Sequence, residues 1–301
     1  MDLRQLEYFL RVAQRCNISL AAVELNITQP TLTKSIKLLE DELGVKLFER
    51  LPRGVALTDV GLRLLRHAEA VHVQVRDASQ EIASLRSGTF GTVTIGAGPA
   101  WLRRNLPLAV AEVMKQHPGI QLRVEGGFDE ALFRALRDGE LDFVVAELPS
   151  PEDRRDVEVT PLTSDNLGVV CRAGHPLARR RRLSMRDLLT YPWVMPPRTT
   201  RAHRRFDALF VAHDLPPPTS CLETGSLAFL INVLLHSDAL TFTVSKTLVT
   251  REGKDLVMLD APDLTVRREA GIVIRRGGWL SPAAQHVADA LKAICAAEPE
   301  N

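Results

Sequence analysis

Polar and basic side chains between residues 28 and 37 have the types that read the edges of base pairs. Glutamine pairs bidentately with adenine, a proline ring or threonine methyl meets the methyl of thymine, and lysine reaches guanine or phosphate. These side chains lie off the apolar stripe of a predicted helix: Thr28, Gln29, Pro30, Thr31, Thr33, Lys34 and Lys37. The pattern predicts a helix face that contacts double-stranded DNA.

Two short helices and a tight turn must position these side chains. A helix over residues 20–25, with Ser19 as its N-cap, leads into residues 26–28, which are too few for anything but a turn. Thr28 then caps a second helix with Pro30 in its first turn, and Gly44 ends that helix. Its buried stripe is predicted to consist of Leu32, Ile36, Leu39 and Leu43.

The polar face leaves two interpretations open. The helices form either an ordinary bundle with a solvated face or a helix-turn-helix, whose second helix enters the major groove. The following segment favours the second, because residues 45–48 and 55–57 predict two strands around a turn that carries Arg53, with Arg50 nearby. The acidic run Glu40-Asp41-Glu42 is expected to face away from DNA, because it would repel phosphate.

A long helix is predicted from about residue 59 to residue 87, followed by a hinge over residues 87–91. Its apolar side chains step by three and four residues, which is the spacing of a heptad seam that needs a partner helix. The alternative is packing against its own domain, but the polar far face favours dimerisation. The seam consists of Ala68, Val71, Val75, Ala78, Ile82 and Leu85.

From residue 93 onward, strands alternate with helices, which predicts a mostly parallel sheet. The first set has strands at 93–95, 120–124 and 143–145 and helices at 102–117 and 130–138. The second has strands at 167–171, 193–195, 219–222 and 240–242, and a strand at 271–274 and a helix at 281–296 follow. Two sets imply two lobes, with a ligand between them at the carboxyl ends of strands.

Composition excludes several classes of protein. The 301 residues are 45% hydrophobic and 25% charged, with 38 Lys plus Arg against 37 Asp plus Glu, which excludes disordered, fibrous and polybasic proteins. No run of apolar residues is long enough for a membrane span, and no secretory signal is evident. Four widely spaced cysteines suit a reducing compartment, so we expect a cytoplasmic protein.

Several motifs resemble those of the LysR-type transcriptional regulators. The similarity is dense over residues 2–66 and looser beyond, where it includes Gly139-Glu140-Leu141-Asp142 and Gly174-His175-Pro176-Leu177. The dense part comprises Ser19-Leu20-Ala21-Ala22, Ile27-Thr28-Gln29-Pro30-Thr31-Leu32-Thr33-Lys34, Leu39-Glu40-Asp41-Glu42-Leu43-Gly44, Leu47-Phe48-Glu49-Arg50 and Leu57-Thr58-Asp59-Val60-Gly61.

The resemblance implies an α/β protein with three parts. These are a winged helix-turn-helix over residues 1–58, a dimerising linker helix and hinge over 59–91, and a two-lobed, periplasmic-binding-protein-like effector domain over 92–301. The first lobe would comprise 92–163 and 268–301, and the second 164–267. The implied partners are promoter DNA, a small-molecule effector and further copies of the chain as a homodimer and homotetramer, with RNA polymerase as a further expected partner.

Effector contacts are also implied by the resemblance. They fall on the loops after the first and third strands and on the first turns of second-lobe helices: Gly98, Pro99, Ala100, Gly127, Phe128, Ala146, Glu147, Pro197, Arg198, Thr199, Thr200 and Ser226. Helix N-termini that converge on a cleft favour anions. The chain departs from the family pattern because its first loop has no Ser or Thr and because His236-Ser237-Asp238 replaces the usual Gly-x-Gly.

Arg198 and Glu147 allow a more specific prediction of the class of ligand. A guanidinium beside a helix capped by Thr199 or Thr200 suits bidentate recognition of a carboxylate or phosphate. The alternative is that Arg198 is a surface residue paired with a neighbouring acid. On the first interpretation, the effector is a small organic anion with a polar or hydroxylated part that satisfies Glu147.

The residues that enzymes would need are missing from their expected places. Residues 96–101 begin like a dinucleotide-binding loop but have Trp101 where the third glycine belongs, and His67 and His72 face different sides of a helix. We therefore predict no catalytic activity, no cofactor and no metal, and we disfavour a thiol switch at Cys171 and Cys221. The competing classes are a solute-binding protein and a two-lobed transferase.

Overall fold

The computed structural model describes residues 1–87, 92–249 and 253–297, without the side chains at 80, 83–87 and 249. The chain divides into two compact units, residues 1–87 and 88–301. The predicted hinge beyond residue 87 and the side chain of Leu85 lie outside the described part. None of the helices within that part combines the length and hydrophobicity that a bilayer span requires.

The N-terminal unit packs its helices around one core. Leu6, Phe9, Leu32, Leu39 and Leu47 are buried there, together with other apolar side chains of the unit. An Asp2–Gln5 capping box begins the first helix. The elements are α1 (Leu3–Arg15), α2 (Ile18–Glu24), α3 (Gln29–Leu43), β1 (Phe48–Leu51), β2 (Gly54–Leu57) and α4 (Asp59–Ser87).

The beginning of α2 differs from the prediction. Asn17, not Ser19, is the N-cap, and its side chain accepts a hydrogen bond from the N–H of Leu20. The helix therefore begins two residues earlier, at Ile18 rather than Leu20. Both Asn and Ser suit an N-cap, so residue type left the choice between the two positions open.

The predicted limits of α3 are confirmed. Thr28 is the N-cap, Pro30 lies in the first turn, and Gly44 ends the helix in the left-handed region at φ 70°. Leu32, Ile36 and Leu39 are buried as the stripe predicts, whereas Leu43 is exposed. The turn between α2 and α3 contains Asn26 at φ 53°, a conformation that asparagine tolerates well.

The strand predicted from residue 45 begins instead at Phe48. Val45 donates its N–H to the carbonyl oxygen of Glu40 at 3.2 Å, and Oε1 of the Glu40 carboxylate accepts the N–H groups of Leu47 and Phe48 at 2.9 and 3.3 Å. The Lys46 ammonium donates to Oε2 of the same carboxylate at 2.7 Å. Glu40 is thus a buried link between α3 and β1.

Hydrogen bonds keep the Glu40 carboxyl ionised. Burial acts on it most strongly and favours the neutral acid, but the bonds from Lys46, Leu47 and Phe48 together outweigh burial and lower its pKa.

The β1–β2 hairpin is anchored to the end of α1. Its strands pair antiparallel, with Phe48 opposite Leu57. Val55 donates its N–H to the carbonyl oxygen of Cys16 at 2.9 Å, and Gly54, at φ 99°, lies so close that a Cβ would be 2.3 Å from the same oxygen. This contact fixes the turn that carries Arg53.

The predicted seam on α4 is not uniform. Ala68 is only 1% exposed and packs in the core of its own unit, so its assignment to an intersubunit seam is wrong. Val71, Val75, Ala78 and Ile82 are exposed. The first turns of α4 therefore follow the alternative of packing within the domain, while the later turns leave apolar side chains uncovered.

The C-terminal unit alternates strands and helices, with short 3-10 turns at Trp101–Arg103, Pro151–Asp153, Ser245–Val249 and Pro262–Leu264. The first part contains β3 (Thr92–Ala97), α5 (Asn105–Gln116), β4 (Gln121–Gly126), α6 (Asp129–Arg137), β5 (Phe143–Glu147) and β6 (Val157–Arg172). The second contains α7 (Met185–Leu188), β7 (Trp193–Met195), α8 (Arg201–Ala212), β8 (Ser220–Glu223), α9 (Leu227–Leu235), β9 (Thr241–Val244), β10 (Leu256–Met258), β11 (Val266–Arg275) and α10 (Pro282–Ala296).

The main sheet is mixed, so the prediction of a mostly parallel sheet is wrong. Its order is β10-β6-β11-β5-β3-β4, and β9 also pairs with β6. β3 is parallel to β4 and β5, but β6 and β11 pair antiparallel with each other and with their other neighbours. The parallel part is confined to the first lobe and to a separate β7–β8 pair.

β6 and β11 connect two lobes that have separate cores. The first lobe consists of β3–β5, α5, α6 and α10, and the second of β7–β10 and α7–α9. β6 contributes Val157 to the first core and Leu167 to the second, and between these two residues it pairs with β11. The expected lobe boundaries at 163–164 and 267–268 fall within these two strands.

Candidate nucleic-acid interface and ligand cavity

The outer face of α3 presents the predicted base-reading side chains to solvent. Gln29, Pro30, Lys34 and Lys37 are exposed, and Thr33 is half-buried. The buried stripe holds the opposite face of the helix against the core. The polar face is therefore free to contact a groove.

Thr28 and Thr31 are exposed at the start of α3 but bond to each other. Thr28 Oγ1 lies 2.8 Å from Thr31 Oγ1 and accepts the N–H of Thr31 at 3.4 Å. Their hydroxyls thus close the first turn of the helix, which leaves their methyl groups for external contacts.

Basic side chains on α3 and the hairpin differ in their ion pairing from other basic side chains of the N-terminal unit. Arg11 and Arg15 pair with Glu24, and Lys46 pairs with Glu40. No ion pair with a carboxylate of the described residues is found for Lys34, Lys37, Arg50 and Arg53, which are all exposed. Unpaired cations on one helix face and its neighbouring hairpin suit contacts to phosphate.

A cavity between the lobes of the C-terminal unit is the second candidate site. The space between its walls, including the open mouth, is about 780 Å³. Aromatic side chains of Trp101, Phe128 and Phe242 form much of its wall. Its polar lining consists of Asp129, Glu147, Thr200, Arg201, Thr224, Thr243 and Arg268.

Only part of the expected effector set surrounds this cavity. Of the expected residues, those that line it are Gly98, Pro99, Ala100, Phe128, Ala146, Glu147 and Thr200. The described residues that were expected but do not line it are Gly127, Pro197, Arg198, Thr199 and Ser226.

Arg198 follows the alternative interpretation. Its side chain is 63% exposed, and its Nε donates to Oε1 of Glu223 at 3.0 Å. This exposed pairing corrects the expectation that Arg198 lies at an anion site. Thr200, rather than Thr199, caps the following helix, since its Oγ1 accepts the N–H of His203 at 3.3 Å.

Three helices begin at the cavity. Phe128 precedes α6, Thr200 precedes α8 and Leu227 is the first residue of α9, and all three line the wall. The first N–H groups of a helix have no intrahelical partner and carry a partial positive charge. The cavity can therefore hold an anionic group, above all beside Arg201 and Ala202 at the start of α8.

Glu147 is already satisfied within the protein. It is 5% exposed, and its carboxylate accepts hydrogen bonds from Arg205 at 2.7 Å and Arg268 at 3.4 Å, with Arg201 Nη1 at 4.0 Å. Arg268 also donates to both carboxylate oxygens of Asp165 at 2.6 and 3.2 Å. The expectation that a ligand must satisfy Glu147 is therefore wrong.

Five charged residues in or next to the cavity wall were not predicted from the sequence: Asp129, Asp165, Arg201, Arg205 and Arg268. They come from four different elements. β11 brings Arg268 to the cavity wall, and β6 places Asp165 against Arg268. One usable signal was the i, i+4 spacing of Arg201 and Arg205, which places both on one helix face. The others follow no local motif.

Asp129 has the most perturbed carboxyl group of the cavity. Burial and, next, repulsion from Glu147 raise its pKa to about 6, while attraction to Arg201 and Arg268 acts in the opposite direction. At neutral pH most of this carboxyl is ionised.

The cysteines offer no sign of a thiol switch. Cys171 is buried, and burial raises its pKa to about 12, so its thiol is not activated. Cys221 is exposed, and its thiol donates a hydrogen bond to the carbonyl oxygen of Trp193 at 3.2 Å. In the described ranges, no three His, Cys, Asp or Glu side chains form a group suited to a metal ion.

Two protein-family models match this chain. Residues 3–62 match the lysR family of bacterial regulatory helix-turn-helix proteins, and residues 86–296 match the LysR substrate binding domain. Together the matches cover both units of the structure.

Curated relatives match over most of their length. An SDS degradation transcriptional activation protein of a Pseudomonas species is 33% identical over 292 residues, which are 94% of this chain and 93% of that protein. The HTH-type transcriptional regulator GbpR of Azospirillum brasilense is 31% identical over 242 residues, or 80% of this chain and 71% of that one.

Solved structures show the same fold. A full-length OxyR variant from Pseudomonas aeruginosa has a TM-score of 0.66 at 24% identity and covers 97% of this chain and 95% of its own. Full-length CbnR complexed with its target DNA has a TM-score of 0.59 at 18% identity, with 98% and 100% covered. The chain therefore belongs to the LysR family of DNA-binding transcriptional regulators with an effector-binding domain.

Proposed function

We propose that this regulator reads its operator with the outer face of α3 and the β1–β2 hairpin, and that a small organic anion in the interlobe cavity controls it. The observation that carries the DNA part is the exposed, capped start of α3, flanked by cations that have no carboxylate partner among the described residues. Nucleic-acid phosphates would neutralise those cations, and base edges would satisfy the polar side chains between them.

Individual side chains then divide into two groups. Gln29, Pro30, Thr33 and Lys34 lie along the helix face and contact base edges, so they govern the choice of sequence. Lys37, Arg50 and Arg53 contact phosphates and contribute affinity without regard to sequence. Thr28 and Thr31 shape the first turn that brings Gln29 and Pro30 to the groove.

Binding to the DNA upstream of the protein's own gene tests this function. Fluorescence anisotropy would compare that DNA with a scrambled duplex of the same composition at two salt concentrations. We expect tighter binding to the upstream DNA and weaker binding to both duplexes at higher salt. Equal affinity for the two duplexes would contradict sequence-specific reading, as would no binding to either.

The ligand part rests on the chemistry of the cavity. Trp101, Phe128 and Phe242 suit an apolar body, whereas Arg201 and the first N–H groups of α8 suit an acid group. A ligand that contacts both lobes would favour one arrangement of the lobes over the others. This shift in population could control the rest of the protein.

We further propose that two subunits pair through the α4 seam beyond Ala68, which consists of Val71, Val75, Ala78, Ile82 and Leu85. Unpartnered apolar side chains at heptad spacing support this pairing. Association of two such dimers and contact with RNA polymerase belong to the same proposal, and family resemblance supports both.

The substitution Ile82→Asp tests this pairing. It would bury a charge at the subunit contact, so we expect light scattering to show a lower mass and DNA binding to weaken. The matched control is Ala70→Asp, which places the same charge at an exposed position off the seam. An unchanged mass for Ile82→Asp would contradict pairing through α4.

A further inference from the structure

One charged side chain in the wall of the interlobe cavity is left without a partner. Asp129 neither accepts a hydrogen bond nor forms an ion pair with any residue in the described ranges. The other charged lining groups are bonded within the protein: Glu147 to Arg205, Arg268 to Asp165, and Arg201 to the carbonyl oxygen of Leu148 at 3.0 Å.

Opposing influences act on the charge of Asp129, which lacks a hydrogen-bond donor. It is the first residue of α6, where the helix dipole favours an anion, and it is half-buried beside Phe128. Glu147 on β5 and Glu130 on α6 repel its charge, whereas Arg201 on α8 and Arg268 on β11 attract it. A partly buried carboxylate without donors is costly, so a ligand that supplies a donor binds more tightly.

We propose that the carboxylate of Asp129 accepts a hydrogen bond from an ammonium or hydroxyl group of the ligand. This inference rests on the proposed function, in which the acid group of the ligand lies at Arg201 and the start of α8. Asp129 and Arg201 line the same cavity. The ligand then carries both a donor and an acid group, and an α-amino or α-hydroxy acid is the simplest molecule that does so.

The apolar part of the cavity wall indicates the nature of the rest of the ligand. Trp101, Phe128, Leu230 and Phe242 are apolar and line the same cavity. They would surround an apolar body, and transfer of that body from water provides affinity without discriminating its substituents. The ligand class is therefore an α-amino or α-hydroxy carboxylic acid with an apolar side chain.

A library of carboxylates in matched trios tests this inference on the full-length protein. Each trio keeps one carbon skeleton and changes only the α-substituent, for example 3-phenylpropanoate, 3-phenyllactate and phenylalanine, or 4-methylpentanoate, 2-hydroxy-4-methylpentanoate and leucine. Thermal shift would find the trios that bind, and calorimetry would measure their affinities. Within a binding trio, we expect the amino or hydroxy member to bind about tenfold or more tightly than the plain acid.

The substitution Asp129→Asn should remove this preference and leave the plain acid bound as before or more tightly. Glu130→Gln is the matched control, since it makes the same change one residue along α6, at a side chain that pairs with Arg204 and does not line the cavity. That variant should keep the preference. Asp129→Asn removes a half-buried charge that no donor satisfies, so thermal unfolding should show that it folds.

The pH dependence provides a second measurement. Because Asp129 has a pKa of about 6, the affinity for the amino or hydroxy member should fall as the pH is lowered through that value. Asp129→Asn should abolish this dependence. Tighter binding at lower pH would overturn the inference, because it would mean that neutral Asp129 donates to the acid group of the ligand.

Two further results separate this inference from the proposed function. If plain acids bind as tightly as their substituted partners, or if Asp129→Asn keeps the preference, the inference is overturned while an anion site in the cavity stands. If none of the carboxylates in the library binds, the proposed anion site is overturned as well.

Discussion

The outer face of α3 takes its side chains from residues 28–37, whereas the interlobe cavity takes its charged side chains from elements that span Asp129 to Arg268. The two regions also treat charge differently. Lys34 and Lys37 have no carboxylate partner in the described residues, but Glu147 and Arg268 are bonded within the protein. One surface depends on a partner to neutralise it, and the other is largely neutralised before a ligand arrives.

This difference has an energetic consequence. Exposed cations cost little in water, so the α3 face contributes little to folding and its side chains can be chosen for recognition. Paired charges in the cavity are withdrawn from water, so each supports the others and the removal of one partner is costly. Substitutions in the two regions should accordingly affect different measurements.

The largest effect is expected for Glu147→Gln. The substitution leaves Arg205 and Arg268 facing a neutral amide, and breaking a buried ion pair costs about 3–5 kcal/mol. Urea unfolding would measure the loss. Glu130→Gln is the control, because its pair with Arg204 is exposed and worth about 0–1 kcal/mol. Similar losses for both variants would contradict the distinction between the cavity and the surface.

Gln29→Ala should affect DNA binding and leave stability unchanged. Loss of a bidentate contact should cost about 1–3 kcal/mol of affinity and relax the preference at one base pair. Arg53→Ala is the comparison, since it should weaken binding to all sequences alike and reduce the salt slope by about one. Anisotropy with single-base operator variants would measure both. Unchanged base preference in Gln29→Ala would show that α3 does not read that position.

His175 should produce a smaller, pH-dependent effect on stability. Its Nδ1 accepts the N–H of Leu177 at 3.1 Å, its Nε2 lies 3.2 Å from the carbonyl oxygen of Asp238, and burial lowers its pKa. The unfolded chain then binds this proton more tightly, so stability should fall as the pH is lowered below the ordinary value of 6.5.

The substitution His175→Gln isolates this contribution. Asp129 acts with the opposite sign, because its raised pKa makes the folded state bind the proton more tightly below about pH 6. The relevant quantity is therefore the difference between wild type and variant in thermal unfolding from about pH 7.5 to about pH 5. A difference that does not change with pH would contradict the role assigned to His175.

The smallest effect is expected for Arg198→Ala. Its pair with Glu223 is exposed and should contribute about 0–1 kcal/mol to stability. Since Arg198 lies outside the cavity wall, affinity for carboxylate probes should be unchanged when measured by calorimetry. A large loss of affinity would restore Arg198 to the ligand site and remove the contrast between surface and cavity arginines.

The α3 face was predictable because its signals are local. Thr28, Pro30 and Gly44 mark the ends of the helix by their own conformational preferences, and the apolar stripe fixes which face is exposed. The start of β1 was missed because the Glu40 carboxylate binds the N–H groups of Leu47 and Phe48, and a helix-interior glutamate gives no sign of such a contact.

The cavity was only partly predictable. The family resemblance indicated loop residues such as Pro99 and Phe128, which line it. The partners of Glu147 depend on how β6 and β11 cross between the lobes, and strand alternation alone does not reveal antiparallel crossovers. Arg198 was misplaced because its neighbour Glu223 comes from a distant strand, β8.

Gly54 limits how the hairpin can be re-engineered. An L-side chain at φ 99° would be strained, and its Cβ would overlap the carbonyl oxygen of Cys16, so a substitution there would push the turn away from α1. A library designed to alter DNA affinity through the hairpin should therefore randomise Arg53 and keep residue 54 as glycine. Diversity at that position would fill the library with displaced hairpins rather than with new specificities.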